Sequence, residues 1–335
     1  APRPPATEAA VLVAPFGQHG ACGDQSPHNV PNSPNMSVLN DYTWLNETTL
    51  VAAMDPAVAA FSGAFGGWVA AHALLAAQKA ANDPEALPLS LSIDFLRAIG
   101  PGDVVSTGEL VHSTRSLRFV QVATAQTEGD CAHTSAIFAR RRATDDIASA
   151  TMPACAPPED LQPIPRDVAP VTWIDSFDLR MATGAVGERS TGMRSLTWTR
   201  FKDERALDYA GLLAIADTPL PRISMHYAEL SKISTITMSV HFHADEADLA
   251  RVRQDFVLVE ASNQSARNGY YDQLTRVWSR SRRLLVSSTQ MVWFNVPPGA
   301  PLGRQHTSSG SRRLSAADVP TVARNSLAPR RKRRV

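Results

Sequence analysis

A few side chains in this sequence are of types that do chemistry. Asp217 ends an apolar run, Leu213-Ala214-Ile215-Ala216, and precedes Thr218-Pro219. By position it is a turn or cap residue. A carboxylate at a helix C-terminus is nevertheless opposed by the macrodipole, so a functional reason for it is plausible on physical grounds. A carboxylate there can take a proton from water. His241 and His243 share a parity that would place both imidazoles on one strand face, a spacing able to chelate metal. No cysteine stands near them, and the pair reads better as structural. His72 sits inside an apolar helical stretch and reads as a packed core residue, with an independent base as the alternative. Gly66-Gly67 opens that stretch. Two glycines at a helix start let a ligand come close to the backbone, where unpaired N–H groups can hold a developing negative charge; packing alone is the other account of them.

The elements that must position these groups come in two rounds. Phe65-Gly66-Gly67-Trp68 begins a helical segment to Ala81 that is apolar almost all round, as a helix buried on most sides must be. From Leu89 to Phe95, apolar and polar residues alternate as in a strand. Further strands are expected at 103–111, 117–126 and 132–140. The second half repeats the order. An apolar helical segment runs from Ala206 to Asp217. A strictly alternating strand runs from Thr235 to His243, with Ile236, Met238, Val240 and Phe242 on one face and Thr235 on the other. Strands follow at 255–262, 270–279 and 284–294. Strands ahead of either helix are left unassigned. A buried helix followed by antiparallel strands implies a sheet curled round a helix. The fold class is therefore α+β, as two tandem hotdog domains that can pair edge to edge and so cover exposed strand edges.

Composition sets the outer limits. The chain has 335 residues, enough for two ordinary domains. Its 33 basic and 32 acidic residues give no excess charge to attract nucleic acid or a membrane surface. No run is long and apolar enough for a membrane span. Three scattered cysteines suggest neither a disulfide framework nor a zinc site, so a cytoplasmic location is expected. The organisation expected is 1–37 disordered, 38–150 the first hotdog, 151–170 a Pro-rich linker, 171–297 the second hotdog, and 298–335 a disordered basic tail. That tail carries Arg330-Arg331-Lys332-Arg333-Arg334, a candidate nuclear-localisation or anionic-surface signal, with a solvated end the plainer account. The first methionine, Met36, suggests that the leading segment lies upstream of a natural start.

From about Tyr42 to Phe294 the chain resembles the acyl-CoA thioesterase II family. The likeness rests on Phe65-Gly66-Gly67, Phe95-Leu96-Arg97, Gly102-Asp103 and Arg115 in the first half. In the second half it rests on Leu213-Ala214-Ile215-Ala216-Asp217, on Thr235-Ile236 leading to Phe242-His243, and on Leu284-Leu285-Val286-Ser287-Ser288-Thr289-Gln290. The resemblance implies a double hotdog that hydrolyses acyl-CoA, with Asp217, Thr235 and Gln290 jointly orienting a water and Gly66-Gly67 meeting the substrate. Such chemistry is intelligible: the carboxylate accepts a proton, while hydroxyl and amide fix the water's direction. It needs no cofactor and no metal. The implied partner is an acyl-CoA, and Arg115 and Arg118 are candidates for its phosphates, with surface charge the plainer account. Hotdogs commonly pair, so a homo-oligomer is a candidate assembly. Two departures from the family pattern bear on loop geometry: a longer stretch from Ala244 to Asp255, and Arg282-Arg283 where a glycine turn is commoner.

Three other readings compete. A hydratase is the first. Its Asp-x-Asn-Pro-x-His signature is only superficially matched by Asp217-Thr218-Pro219-Leu220-Pro221-Arg222, which lacks the Asn and has Arg222 in place of the His. The others are a non-catalytic hotdog that binds an acyl thioester, and an acyltransferase using the same site. Comparison of the halves, at an offset of about 143–147 residues, puts Asp217 opposite Ala70 to Leu74 and Thr235 opposite Pro88 to Ser92. Gln290, at a larger offset, falls near Ser135-Ala136-Ile137. One working site per chain is expected.

Overall fold

The structure is a computed structural model, and it describes Leu39 and residues 41–186, 188–189, 193–228 and 232–305. The expectations for 1–37 and for the basic residues after 305 lie outside these residues.

Two short strands come first, β1 (Tyr42–Trp44) and β2 (Thr49–Met54), then a small hairpin of β3 (Ala59–Ala60) and β4 (Gly63–Ala64). Helix α1 (Gly66–Ala81) follows, and then four long strands: β5 (Ala86–Phe95), β6 (Gly102–Ser113), β7 (Leu117–Gln126) and β8 (Gly129–Arg140). The second half runs β9 (Phe177–Thr183), β10 (Glu188–Arg189), β11 (Ser195–Phe201), α2 (Tyr209–Ala216), β12 (Lys232–Phe242) and α3 (Glu246–Val252). It closes with β13 (Val257–Ser262), β14 (Ala266–Arg267), β15 (Tyr270–Ser279), β16 (Leu284–Asn295) and β17 (Arg304–Gln305). Among the described residues one 13-stranded sheet takes the order β1-β2-β6-β7-β8-β5-β12-β16-β15-β13-β11-β9, with β14 attached to β15. The halves meet at β5 and β12, which pair antiparallel from Thr237 opposite Asp94 to His241 opposite Ser90. The expected edge-to-edge pairing is therefore one continuous ladder.

α1 is buried as its composition requires. Trp68, Val69, Leu74 and the alanines at 70, 71, 73, 76, 77, 80 and 81 are all inside. Each large apolar side chain buried in this way contributes about 1.5–3 kcal/mol. The alanines let helix and sheet approach closely: a Cβ added at Gly108 on β6 would lie 2.7 Å from the Ala76 carbonyl oxygen. α2 packs against α1 and is buried along its whole length. It has eight residues where α1 has 16. That difference decides where a pocket can open.

Three expectations are corrected. Alternation from Thr235 predicted Ile236 inside and Thr235 on the polar face. The register of β12 against β16 steps from Thr235 opposite Val292 to Thr237 opposite Met291. Ile236 is thus the extra residue of a β-bulge. It is pushed outward, 38% exposed, and Thr235 turns to the same side as buried Met238, Val240 and Phe242. The stretch Ala244 to Asp255, taken as a loop, carries α3. Its start is a capping box in which Asp245 and Asp248 each accept the other's backbone N–H. Residues 298–305, assigned to a disordered tail, are ordered: β17 pairs with β10, Ala228 N–H donates to the Pro301 carbonyl, and Gly303 N–H donates to the His226 carbonyl. Composition weighs side-chain burial and misses a segment held by its backbone.

The Pro-rich stretch 151–170 lies along the second half. The Trp198 indole donates to the Ala156 carbonyl at 2.8 Å, Arg180 donates to the Pro158 carbonyl, and Ile164 N–H donates to the Leu179 carbonyl.

Candidate active site

Asp217 is the C-cap of α2, and its N–H closes the last turn onto the Ala214 and Ile215 carbonyls. The helix stops here because Thr218 turns its hydroxyl onto Ile215 and prolines follow at 219 and 221. The carboxyl is thereby aimed at the start of α1. A Cβ added at Gly66 would lie 2.8 Å from Asp217 Oδ2, and one at Gly67 2.8 Å from the Ala214 carbonyl oxygen. Both glycines are required by close approach, one to the carboxylate and one to the neighbouring helix. The Gly67 N–H faces the carboxyl. α1 begins at Phe65 with no side-chain cap; the Trp68 and Val69 N–H groups turn back onto the Phe65 carbonyl, and Gly66 is the helix-start residue that lines the cavity.

The three residues singled out from the resemblance come together. Gln290, on the inward face of β16, donates from Nε2 to Asp217 Oδ1 at 2.8 Å. Its Oε1 accepts from the Thr235 hydroxyl at 3.4 Å. The amide's orientation follows from these partners, since a carboxylate can only accept and the hydroxyl supplies the donor on the other side. Gln290 is buried, so its amide is held among these partners and not in solvent. The bulge at Ile236 is what brings Thr235 within reach.

Burial pushes the Asp217 carboxyl up to about 6, against the opposing pull of the Gln290 amide and the Gly67 N–H. A carboxylate poised there is about nine-tenths ionised at neutral pH and basic enough to take a proton. The cavity before it has a volume of about 130 Å³. Phe65, Trp173 and Phe95 wall one side, with Trp173 stacked on Phe65 at 4.5 Å between ring centroids. Ile233, Tyr271 and Val292 wall the other, and Arg97 also lines the cavity. The site is therefore shared, with the helix start from the first half and Asp217, Thr235 and Gln290 from the second. The Ser62 hydroxyl, donating to the Ile233 carbonyl at 2.7 Å, ties the halves beside it.

Other candidates lie elsewhere. His72 is buried, its Nδ1 is 2.9 Å from the Trp68 carbonyl, and burial lowers its pKa to about 4. It is a neutral core residue. His243 Nε2 pairs with the Ser287 hydroxyl at 2.9 Å while His241 points to solvent. Arg118 binds Asp83 at 2.6 Å, a structural role. Arg222, the residue at the hydratase histidine's place, is fully buried and donates to the Leu220 and Met193 carbonyls and to Ser195 Oγ. It takes no part in lining the cavity. Sequence reasoning missed Tyr271 and Gln273, which face the cavity from β15. A signal was there. Residues 271, 273, 275 and 277 share one strand face, and a glutamine and a threonine stand in it beside tyrosine and valine.

Residues 55–139 match the acyl-CoA thioesterase N-terminal domain, and residues 154–294 match the acyl-CoA thioesterase C-terminal domain. The chain belongs to the acyl-CoA thioesterase family. Family membership makes it a thioester hydrolase. Solved structures agree on the fold of this thioesterase. A conserved protein of unknown function with a hotdog fold from Alicyclobacillus acidocaldarius is 27% identical, with a TM-score of 0.70 over 78% of this chain and 97% of its own. Acyl-CoA thioesterase II TesB2 from Mycobacterium marinum is 19% identical, with a TM-score of 0.60 over 79% of this chain and 100% of its own. The tesB protein of Mycobacterium avium subs. paratuberculosis is 18% identical, with a TM-score of 0.61 over 78% and 97%. No curated protein matches. No described helix of the thioesterase is long and apolar enough to cross a membrane.

Proposed function

We propose that the thioesterase hydrolyses acyl-CoA to the free acid and CoA, and that Asp217 is the general base. The observation that carries this reading is the chain of contacts Thr235 to Gln290 to Asp217 set against the uncapped start of α1. A water held by this set gives its proton to Asp217 as its oxygen bonds to the thioester carbonyl carbon. The carbonyl oxygen becomes an oxyanion at the α1 N-terminus, where backbone N–H groups and the helix dipole favour negative charge. Collapse of that intermediate breaks the carbon–sulfur bond. The thiolate leaves with the proton that Asp217 took up. Asp217 is then free for another turnover.

One site per chain is part of the reading. Counted from the helix starts at Gly66 and Tyr209, the position of Asp217 in the first half is Leu74, which is fully buried. Beyond it α1 runs on for two more turns, whose Ala76, Ala77, Ala80 and Ala81 fill the space that opens where α2 stops. The decisive experiment is release of free CoA across a panel of acyl-CoA substrates by wild type and Asp217→Asn. Release by wild type and its loss in the variant support the assignment, whereas equal turnover refutes it.

A further inference from the structure

The cavity holds a buried amide that the mechanism above does not use. Gln273 on β15 is 3% exposed and lines the same space as Asp217 and Gln290. It stands directly opposite Gln290 in the β15–β16 ladder, so the two side chains are neighbours on one face, with backbones about 5 Å apart. Gln290 is committed at both ends. The Gln273 amide makes no hydrogen bond to any described residue. The next residues inward on both strands repeat the pattern: Thr275 and Ser288 face each other across the ladder, and both hydroxyls are buried without a partner.

A buried amide is costly to leave unpaired. An acyl group that is hydrocarbon from its second carbon onward would leave this one so. A substrate bearing an oxygen close to its carbonyl would satisfy it, because glutamine offers both donors and an acceptor. We infer that Gln273 is a specificity-determining residue of this site, and that the preferred acyl group carries a hydroxyl or carbonyl oxygen on the second or third carbon. Gln273 lies beside Gln290, which holds the base, so its amide reaches the atoms nearest the reacting carbonyl and not the far end of a chain. Ile233 and Val292 supply apolar wall, and the Tyr271 hydroxyl is already engaged by the Arg222 backbone.

The inference rests on the thioesterase reading, and the test separates them. CoA release is measured for butyryl-CoA, 2-hydroxybutyryl-CoA and 3-hydroxybutyryl-CoA, and for matched pairs of longer chain, with wild type, Gln273→Met and Gln273→Leu. Wild type is expected to favour one hydroxylated member of a pair by about tenfold or more in kcat/KM, since a site built to bond a hydroxyl rejects the analogue lacking it. The ratio is expected to collapse toward unity in both variants, with thermal midpoints checked alongside. A wild-type ratio near one overturns the inference whatever the variants do. An equal loss on both members of a pair also overturns it, because that is the mark of a contact to the thioester carbonyl. Failure of wild type to release CoA from any substrate sinks the thioester reading, and the inference with it.

Discussion

Replacing Gly66 by alanine adds one methyl group at a place where the geometry says what it must do. The added Cβ would stand 2.8 Å from Asp217 Oδ2 and 3.3 Å from the Phe95 ring. The first separation falls about 0.6 Å short of ordinary contact, so the carboxylate must swing away from its position between Gln290 and the α1 start. A misplacement of about 1 Å in a reacting group costs on the order of a hundredfold. A shift of this size should therefore lower kcat by roughly tenfold. Folding should not suffer. Gly66 opens a helix with no positive φ, and alanine there removes unfolded-chain entropy, worth about 0.4–1 kcal/mol in favour of the native state. The assay is CoA release under saturating substrate, paired with thermal unfolding. Lower kcat with an unchanged or raised midpoint is expected. Wild-type turnover in a normally folded Gly66→Ala protein would show that the carboxylate does not need its observed place. Gly67→Ala is the contrasting control. Its Cβ meets the backbone carbonyl of Ala214, which cannot swing aside, so this variant should lose about 1–3 kcal/mol of stability.

Asp217→Asn should lower turnover by about 10²-fold or more while keeping the fold. The carboxyl is raised from 3.8 to about 6, so kcat/KM should climb with pH along a limb centred near 6 and level off about one pH unit higher, and a limb centred near 4 would argue for another base. The same shift has a stability consequence. Between about 4 and 6 only the native state holds the proton, so this group's contribution is full at low pH and lost as pH rises through 6; the Asn variant should gain thermal midpoint over wild type above pH 6 and not below 4. A chain ending at 305 should unfold like the full chain, whereas one ending at 297 should unfold earlier, because it loses the backbone bonds of Pro301 and Gly303 and the β10–β17 pair. Arg282 stands at φ 69, so Arg282→Gly should raise stability by up to about 1 kcal/mol, and a drop would mean that its side chain matters more than its backbone.

Period and composition carried the helices and long strands because burial writes itself into alternation. The Ala-rich α1 needed nothing else, whereas Gln290 was found by resemblance and its inward face came only with the structure. Thr235 was found by resemblance and misplaced by alternation. Strict parity gives the wrong face, and no residue in Ser-Thr-Ile-Thr announces a bulge. The strands ahead of each helix are short or flanked by loops, so their patterns are weak. α3 was passed over although Asp245 and Asp248 spell a capping box. Gln273 was passed over for a different reason. Its parity with Tyr271, Thr275 and Val277 marks a face, but the cavity before that face exists only once the ladder is assembled.

The joint between β5 and β12 has a consequence for how the protein can be taken apart. Each half made alone would present a long strand, Ala86–Phe95 or Lys232–Phe242, with half its backbone groups unpaired and one face greasy. Such an edge invites another chain. The two pieces produced separately should be insoluble or sticky, yet produced together they carry matching edges in a fixed register. Split between Arg141 and Ala150, the protein is built for fragment complementation, with catalysis returning only when the two pieces find one another.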